Sequence, residues 1–167
     1  VVLADYFELV IGSKGMSQQL NLTYAVRDGI ISHCGEVDDN GLKPRDEFIN
    51  LERDYVSPNQ YAPYTWEACI VKLADKISYI MRDTEDAIRL NVLTKEEIER
   101  DLLYSLKLKF NEYNRDAIVG GLINDCVKNS NPEEGIKFSE EWSERLDAIK
   151  AFNTSRICFS ERVKISK

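Results

Sequence analysis

The chain has 167 residues and a mass of 19.2 kDa, enough for one domain with a proper core and little room for two. Hydrophobic residues make up 43% and charged residues 31%, with 8 Gly and 4 Pro, which excludes the disordered, collagen-like and low-complexity classes. With 22 Lys and Arg against 29 Asp and Glu, the net charge is -7. That charge repels phosphate backbones at long range and speaks against generic nucleic-acid binding.

No stretch approaches the roughly 18 apolar residues of a membrane span, and Val1-Val2-Leu3 is followed at once by Asp5 and Glu8, unlike a secretory signal. A soluble, cytoplasmic protein is expected. The first residue is not methionine, which suggests a fragment. Cys34, Cys69, Cys126 and Cys158 form no CxxC and have no zinc spacing, so four free, mostly buried thiols in a reducing compartment are expected. The single histidine, His33, falls at the end of a helical stretch, where a structural role at the helix C-terminus is expected.

In chain order, an apolar opening over 1–11 and a Gly-Ser-Lys-Gly break show hardly any strand-like alternation. Asn21 or Thr23 can then cap a helix whose Leu22, Val26, Ile30 and Cys34 recur at helical spacing, with Gly35 as its stop. Asp38-Asp39-Asn40-Gly41, Pro44, Pro58 and Pro63 mark residues 36–63 as a loop long enough to line a site. Thr65 caps the longest helix, predicted to run to about Leu93. Thr94 with Glu97 fits a capping box that opens a helix to about Tyr113. Ile118, Leu122, Ile123 and Cys126 predict a helix over about 115–129, closed by Asn129-Ser130-Asn131-Pro132. Ser139 caps another, with Trp142, Leu146, Ile149 and Phe152 on its inner face. The fold class is all-α, a helical bundle, with 1–167 as a single segment.

Chemistry concentrates on the long helix. At roughly 100° per residue, Asp75, Tyr79, Arg82, Asp83 and Asp86 share about one quadrant, opposite Leu73, Ile77, Ile80, Thr84 and Ile88. Asp offers a hard oxygen to a divalent cation, Lys76 and Arg82 can balance phosphate charge, and Tyr79 supplies a flat surface with a hydroxyl. A charged stripe opposite an apolar one is also what an ordinary solvated helix carries, and Arg82 with Asp86 is an ordinary i,i+4 pair. The large aromatic between two acids sets this stripe apart, although packing under a neighbouring helix would account for it equally.

The run from Pro63-Tyr64-Thr65-Trp66-Glu67-Ala68-Cys69 through Lys72-Leu73-Ala74-Asp75-Lys76-Ile77-Ser78-Tyr79, followed by Arg82-Asp83 and Glu85-Asp86-Ala87, resembles the HD-domain deoxynucleotide triphosphohydrolases, the dGTPase-like family. Leu20-Asn21-Leu22-Thr23 with Val26-Arg27-Asp28-Gly29-Ile30 is similar to that family's LNLT and RDGI segment, and Leu146–Asn153 to its LK-x-F helix. Thr84 stands where isoleucine is usual, Ser78 where alanine is common and Met81 where glycine or histidine often occurs.

The resemblance implies the C-terminal portion of an HD-domain fold and a metal-dependent hydrolase that splits a deoxynucleoside triphosphate into deoxynucleoside and triphosphate. It implies that Asp75 is the last ligand of a divalent metal ion such as Mg or Mn. Lys76 would approach the phosphates, and Tyr79 and Asp83 would face the sugar. The family's other metal ligands lie upstream of the LNLT segment, and His33 matches none of them. This piece is therefore expected to lack the metal-binding N-terminal half and to be inactive alone. The partners implied are a deoxynucleoside triphosphate and further copies of the chain. The alternative is a nucleotide-sensing or helical assembly module without chemistry.

Overall fold

A computed structural model describes residues 9–35, 41–106 and 115–160. Among them are five α-helices and one two-stranded sheet, which bears out the all-α class. Contacts gather into two compact units. One holds the residues up to Ala74 together with Pro132–Ile136, and the other holds Asp75–Asn131 and the residues from Lys137 on.

The first unit opens with a feature that hydropathy hides. Strands β1 (Leu9–Ile11) and β2 (Ser17–Gln19) pair antiparallel, with Val10 opposite Gln18. All three β2 residues are exposed, so no alternation marks it. The connection is closed by Gly12 N donating to the Met16 carbonyl and Gly15 N to that of Gly12, with Gly15 at φ +71°, a conformation costly for any residue with a Cβ.

Helix α1 (Tyr24–Ser32) begins at Thr23, whose hydroxyl accepts from Val26 N, so of the two caps that the sequence offers, Asn21 and Thr23, the second is used. Its buried face is a correction. Val26 and Ile30 are 48% and 41% exposed, whereas Asp28 and Ser32 are fully buried. The polar side is inward because Asp28 is paired there: it meets the Arg45 guanidinium, accepts from the Tyr64 amide (2.8 Å) and from Ser32 Oγ. Arg45 also donates to Tyr24 Oη (2.8 Å) and to the Ala62 carbonyl. A buried carboxylate is tolerable only with such partners. Residues 41–63 carry no helix, as expected. Leu42 and Ile136 form an isolated antiparallel bridge, and the Lys43 ammonium donates to the Glu133 carbonyl.

Helix α2 (Trp66–Arg89) starts where Thr65 Oγ1 accepts from Ala68 N. It stops four residues short of the predicted Leu93, because Asn91 takes φ +54° and the Val92 amide turns back to the Ala87 carbonyl, the left-handed stop that asparagine tolerates best after glycine.

In the second unit, α3 (Lys95–Ser105) has the predicted capping box: Thr94 Oγ1 accepts from Glu97 N while Glu97 Oε2 accepts from Thr94 N (2.8 Å). The predicted extension to Tyr113 lies mostly outside the described residues. Helix α4 (Arg115–Asn129) matches the predicted span, with Ile118 and Leu122 buried but Ile123 49% exposed. Helix α5 (Glu140–Phe152) buries Leu146, Ile149 and Phe152, each contributing roughly 1.5–3 kcal/mol. Asp125 on α4 accepts from both the amide and hydroxyl of Ser139 (2.7 and 2.8 Å), fixing where α5 starts. Gly121 lets α4 approach the Trp142 ring: a methyl there would stand 2.1 Å from Trp142 Cη2. Beyond Phe152 the chain widens into a π-helical turn, Asn153–Cys158.

Candidate functional site

The C-terminal two thirds of α2 belong to the second unit and carry the predicted site residues. Leu73, Ile77, Ile80 and Thr84 are buried, which sets the inward face as predicted. Ile88, assigned to that face, is 36% exposed, since it lies in the last turn before the chain reverses at Asn91. On the other side Asp75, Arg82 and Asp86 are exposed, Tyr79 is 37% exposed and Asp83 is half-buried. The helix therefore presents two carboxylates and a phenol in order along one stripe, Asp75, Tyr79 and Asp83, at the one-turn spacing that stacks side chains.

Asp83 is electrostatically distinct. Burial first, and then the like charge of Asp86, push its carboxyl above the ordinary carboxylate value. Lys76, at the border of stripe and core, is 3% exposed. Its side chain, stem and ammonium together, is therefore buried against the rest of the fold rather than extended into solvent.

Two further residues stand out that periodicity passes over. Lys72, one turn before Lys76, is 2% exposed and donates to the carbonyls of Ser32 (2.8 Å), Cys34 (2.8 Å) and His33 (3.4 Å). Asp28 is the other, through its pairing with Arg45. The signal for Lys72 was its four-residue spacing from Lys76; for Asp28 it was an acid inside an apolar helix pattern.

His33 ends α1 as its C-cap residue, and its Nδ1 donates to the Ile30 carbonyl (2.7 Å), the structural role expected of it. All four cysteines are free, as expected, but only Cys69 is buried; Cys34 and Cys158 are exposed and Cys126 is half-buried. The exposure follows from the outward apolar side of α1 and the position of Cys158 at the end of the π-helical turn.

Among the described residues no three His, Cys, Asp or Glu side chains come together to hold a metal. Asp75 offers one carboxylate, where a catalytic metal takes several protein donors. The described residues therefore do not by themselves fit a metal centre. No helix among them is long and apolar enough to cross a membrane.

Curated proteins supply the decisive comparison. A deoxyguanosinetriphosphate triphosphohydrolase-like protein of Caldanaerobacter subterraneus is 28% identical over 145 residues, 87% of this chain and 34% of the relative. One of Desulfatibacillum aliphaticivorans is 30% identical over 138 residues, covering 80% of this chain and 33% of that protein. The chain is a relative of the dGTP triphosphohydrolase-like proteins. Another such relative, from Rickettsia prowazekii, is 25% identical over 177 residues, 86% of this chain and 44% of its own length. The chain spans about a third of the length of the first of these dGTP triphosphohydrolase-like relatives. No protein-family model matches it, and no solved structure matches it.

Proposed function

We propose that this chain is the C-terminal part of a nucleotide triphosphohydrolase that converts a deoxynucleoside triphosphate such as dGTP to deoxynucleoside and triphosphate. The observation that carries this reading is the similarity, over 87% of the chain, to a protein named deoxyguanosinetriphosphate triphosphohydrolase-like. The α2 stripe supplies chemistry that suits it.

Asp75 is assigned as one ligand of a divalent metal, whose other donors would come from outside the described residues. A metal in such a site polarises phosphoryl oxygens and activates water; with one donor here, no step of the reaction is derived through it. What this chain would contribute is positioning. Lys76 would meet the triphosphate as a point charge. One turn on, Tyr79 would lie against the sugar and select by shape, and the Asp83 carboxyl would accept from a sugar hydroxyl. The order along α2, phosphate end first and sugar end second, matches the order of groups in the substrate.

The test uses the full-length protein that carries this chain, with dGTP and Mn²⁺ or Mg²⁺. Asp75→Ala is expected to lower turnover by at least about three orders of magnitude with an unchanged circular dichroism spectrum, and retained activity would overturn the metal assignment. Nucleotide binding without any release of triphosphate by the wild type would point instead to a sensing module. The isolated 167-residue chain is expected to release none, and turnover by pure material would show that its site is complete.

A further inference from the structure

Within the first unit, α1 holds the start of α2 at three successive points four residues apart. The Tyr64 amide, just before α2, donates to Asp28 Oδ1 at 2.8 Å. Gly29 faces Ala68 so closely that a methyl on it would stand 3.3 Å from the Ala68 Cβ. Lys72 then donates to the Ser32, His33 and Cys34 carbonyls. These belong to the end of α1, where carbonyls lack helical partners and the helix dipole is negative, so a cation there is doubly favoured. The contact is polar where most helix pairs are apolar: Asp28, Ser32 and Lys72 are all buried, while Val26 and Ile30 of α1 face outward.

Apolar packing tolerates small axial slips, whereas directional hydrogen bonds fix the register of one helix on another. The next position in the same four-residue row is Lys76, with Asp75 beside it on the same continuous helix. We infer that α1 is a splint for the first turns of α2 and that Lys72 is a positioning residue, fixing the register of the helical turn from which Asp75 and Lys76 continue, without touching substrate. The inference rests on the functional reading above and deepens it: a phosphate contact displaced by about 1 Å loses much of its value, so binding should depend on a side chain one turn away.

The experiment compares Lys72→Met and Lys72→Arg in the full-length protein, by amide hydrogen exchange over 24–34 and 66–76 and by steady-state dGTP hydrolysis. Measurements are made at temperatures where circular dichroism shows both variants folded. Lys72→Met is expected to speed exchange in the last turn of α1 by roughly tenfold and to raise KM for dGTP by about fivefold or more. Lys72→Arg, which keeps the cation and its donors, should restore both to within about twofold. Should Lys72→Met fail to fold, Lys72→Gln, which keeps one donor group, carries the same expectations. Unchanged exchange would overturn the splint. A fall in kcat that tracks the unfolded fraction, with KM constant, would show a merely structural lysine and overturn the positioning role. Wild-type protein without dGTP turnover would sink the functional reading instead, and exchange would then decide the splint alone.

Discussion

At the scale of single residues, the pairing of Asp83 with Asp86 has a measurable consequence. The Asp83 carboxyl is held above its ordinary value of 3.8 by burial and by the charge of Asp86. With the folded-state pKa above the unfolded one, ionising Asp83 costs stability once pH rises past the ordinary value, and in stronger acid, where both states are protonated, the cost vanishes. Asp83→Asn is therefore expected to raise Tm at pH 7 and to leave it unchanged near pH 3 in roughly matched salt. A gain that persisted in acid would place its origin elsewhere. The thiols give a second contrast. Cys69 is buried, and desolvation first, then the charge of Asp28, push its pKa up to about 12 against the opposing pull of Lys72, so thiolate is scarce at neutral pH. A disulfide reagent at pH 8 should label Cys34 and Cys158 in the native protein and reach Cys69 only after denaturation. Native-state labelling at Cys69, mapped by mass spectrometry, would contradict that burial.

At the scale of helices, what could be read from the residues and what could not divides along a physical line. Starts at Thr23, Thr65, Thr94 and Ser139 were legible because a cap is a local bargain between one side chain and an amide three residues on. The inward face of α1 was not, because the Asp28–Arg45 pair joins residues 17 apart and no periodicity reports it. The β1–β2 pair escaped for want of a buried face on β2. The stripe of Asp75, Tyr79 and Asp83 was legible from spacing alone, while the burial of Lys76 depends on tertiary packing that spacing does not encode. Gly121 tests the α4–α5 packing directly. Because Trp142 fills the space beside it and carries the Arg145 guanidinium 4.7 Å from its ring centroid, Gly121→Ala should destabilise the protein by about 1–3 kcal/mol, read as a lower urea midpoint. The usual gain from alanine in a helix, near 1 kcal/mol, would appear instead if the ring could swing away. Thr84 and Asn153 form a second such pair: Asn153 Nδ2 donates to the Ile80 carbonyl (2.6 Å) and its Oδ1 accepts from Thr84 Oγ1 (3.3 Å). An isoleucine at 84 would therefore strand a buried acceptor unless position 153 changed with it.

At the scale of the whole chain, the two units do not follow one another in sequence. Pro132–Ile136, between α4 and α5, belongs with the first unit. It is fixed there by the reciprocal amide–carbonyl bonds of Leu42 and Ile136 (2.8 and 2.9 Å), and Ile136 is buried. The Gly135 backbone passes so near Gly41 that a methyl on Gly135 would stand 2.8 Å from the Gly41 carbonyl carbon, and both glycines take positive φ. A polypeptide ending at Ala74 is accordingly expected to lose the cooperative thermal transition of the intact chain, followed by circular dichroism. A sharp transition in that piece would show the return strap to be dispensable. The same threading bears on how such proteins can be taken apart and recombined: no single cut in the gene yields either half whole, so crossovers between homologous copies that leave the protein intact should cluster outside 42–136, where both partners of the bridge travel together.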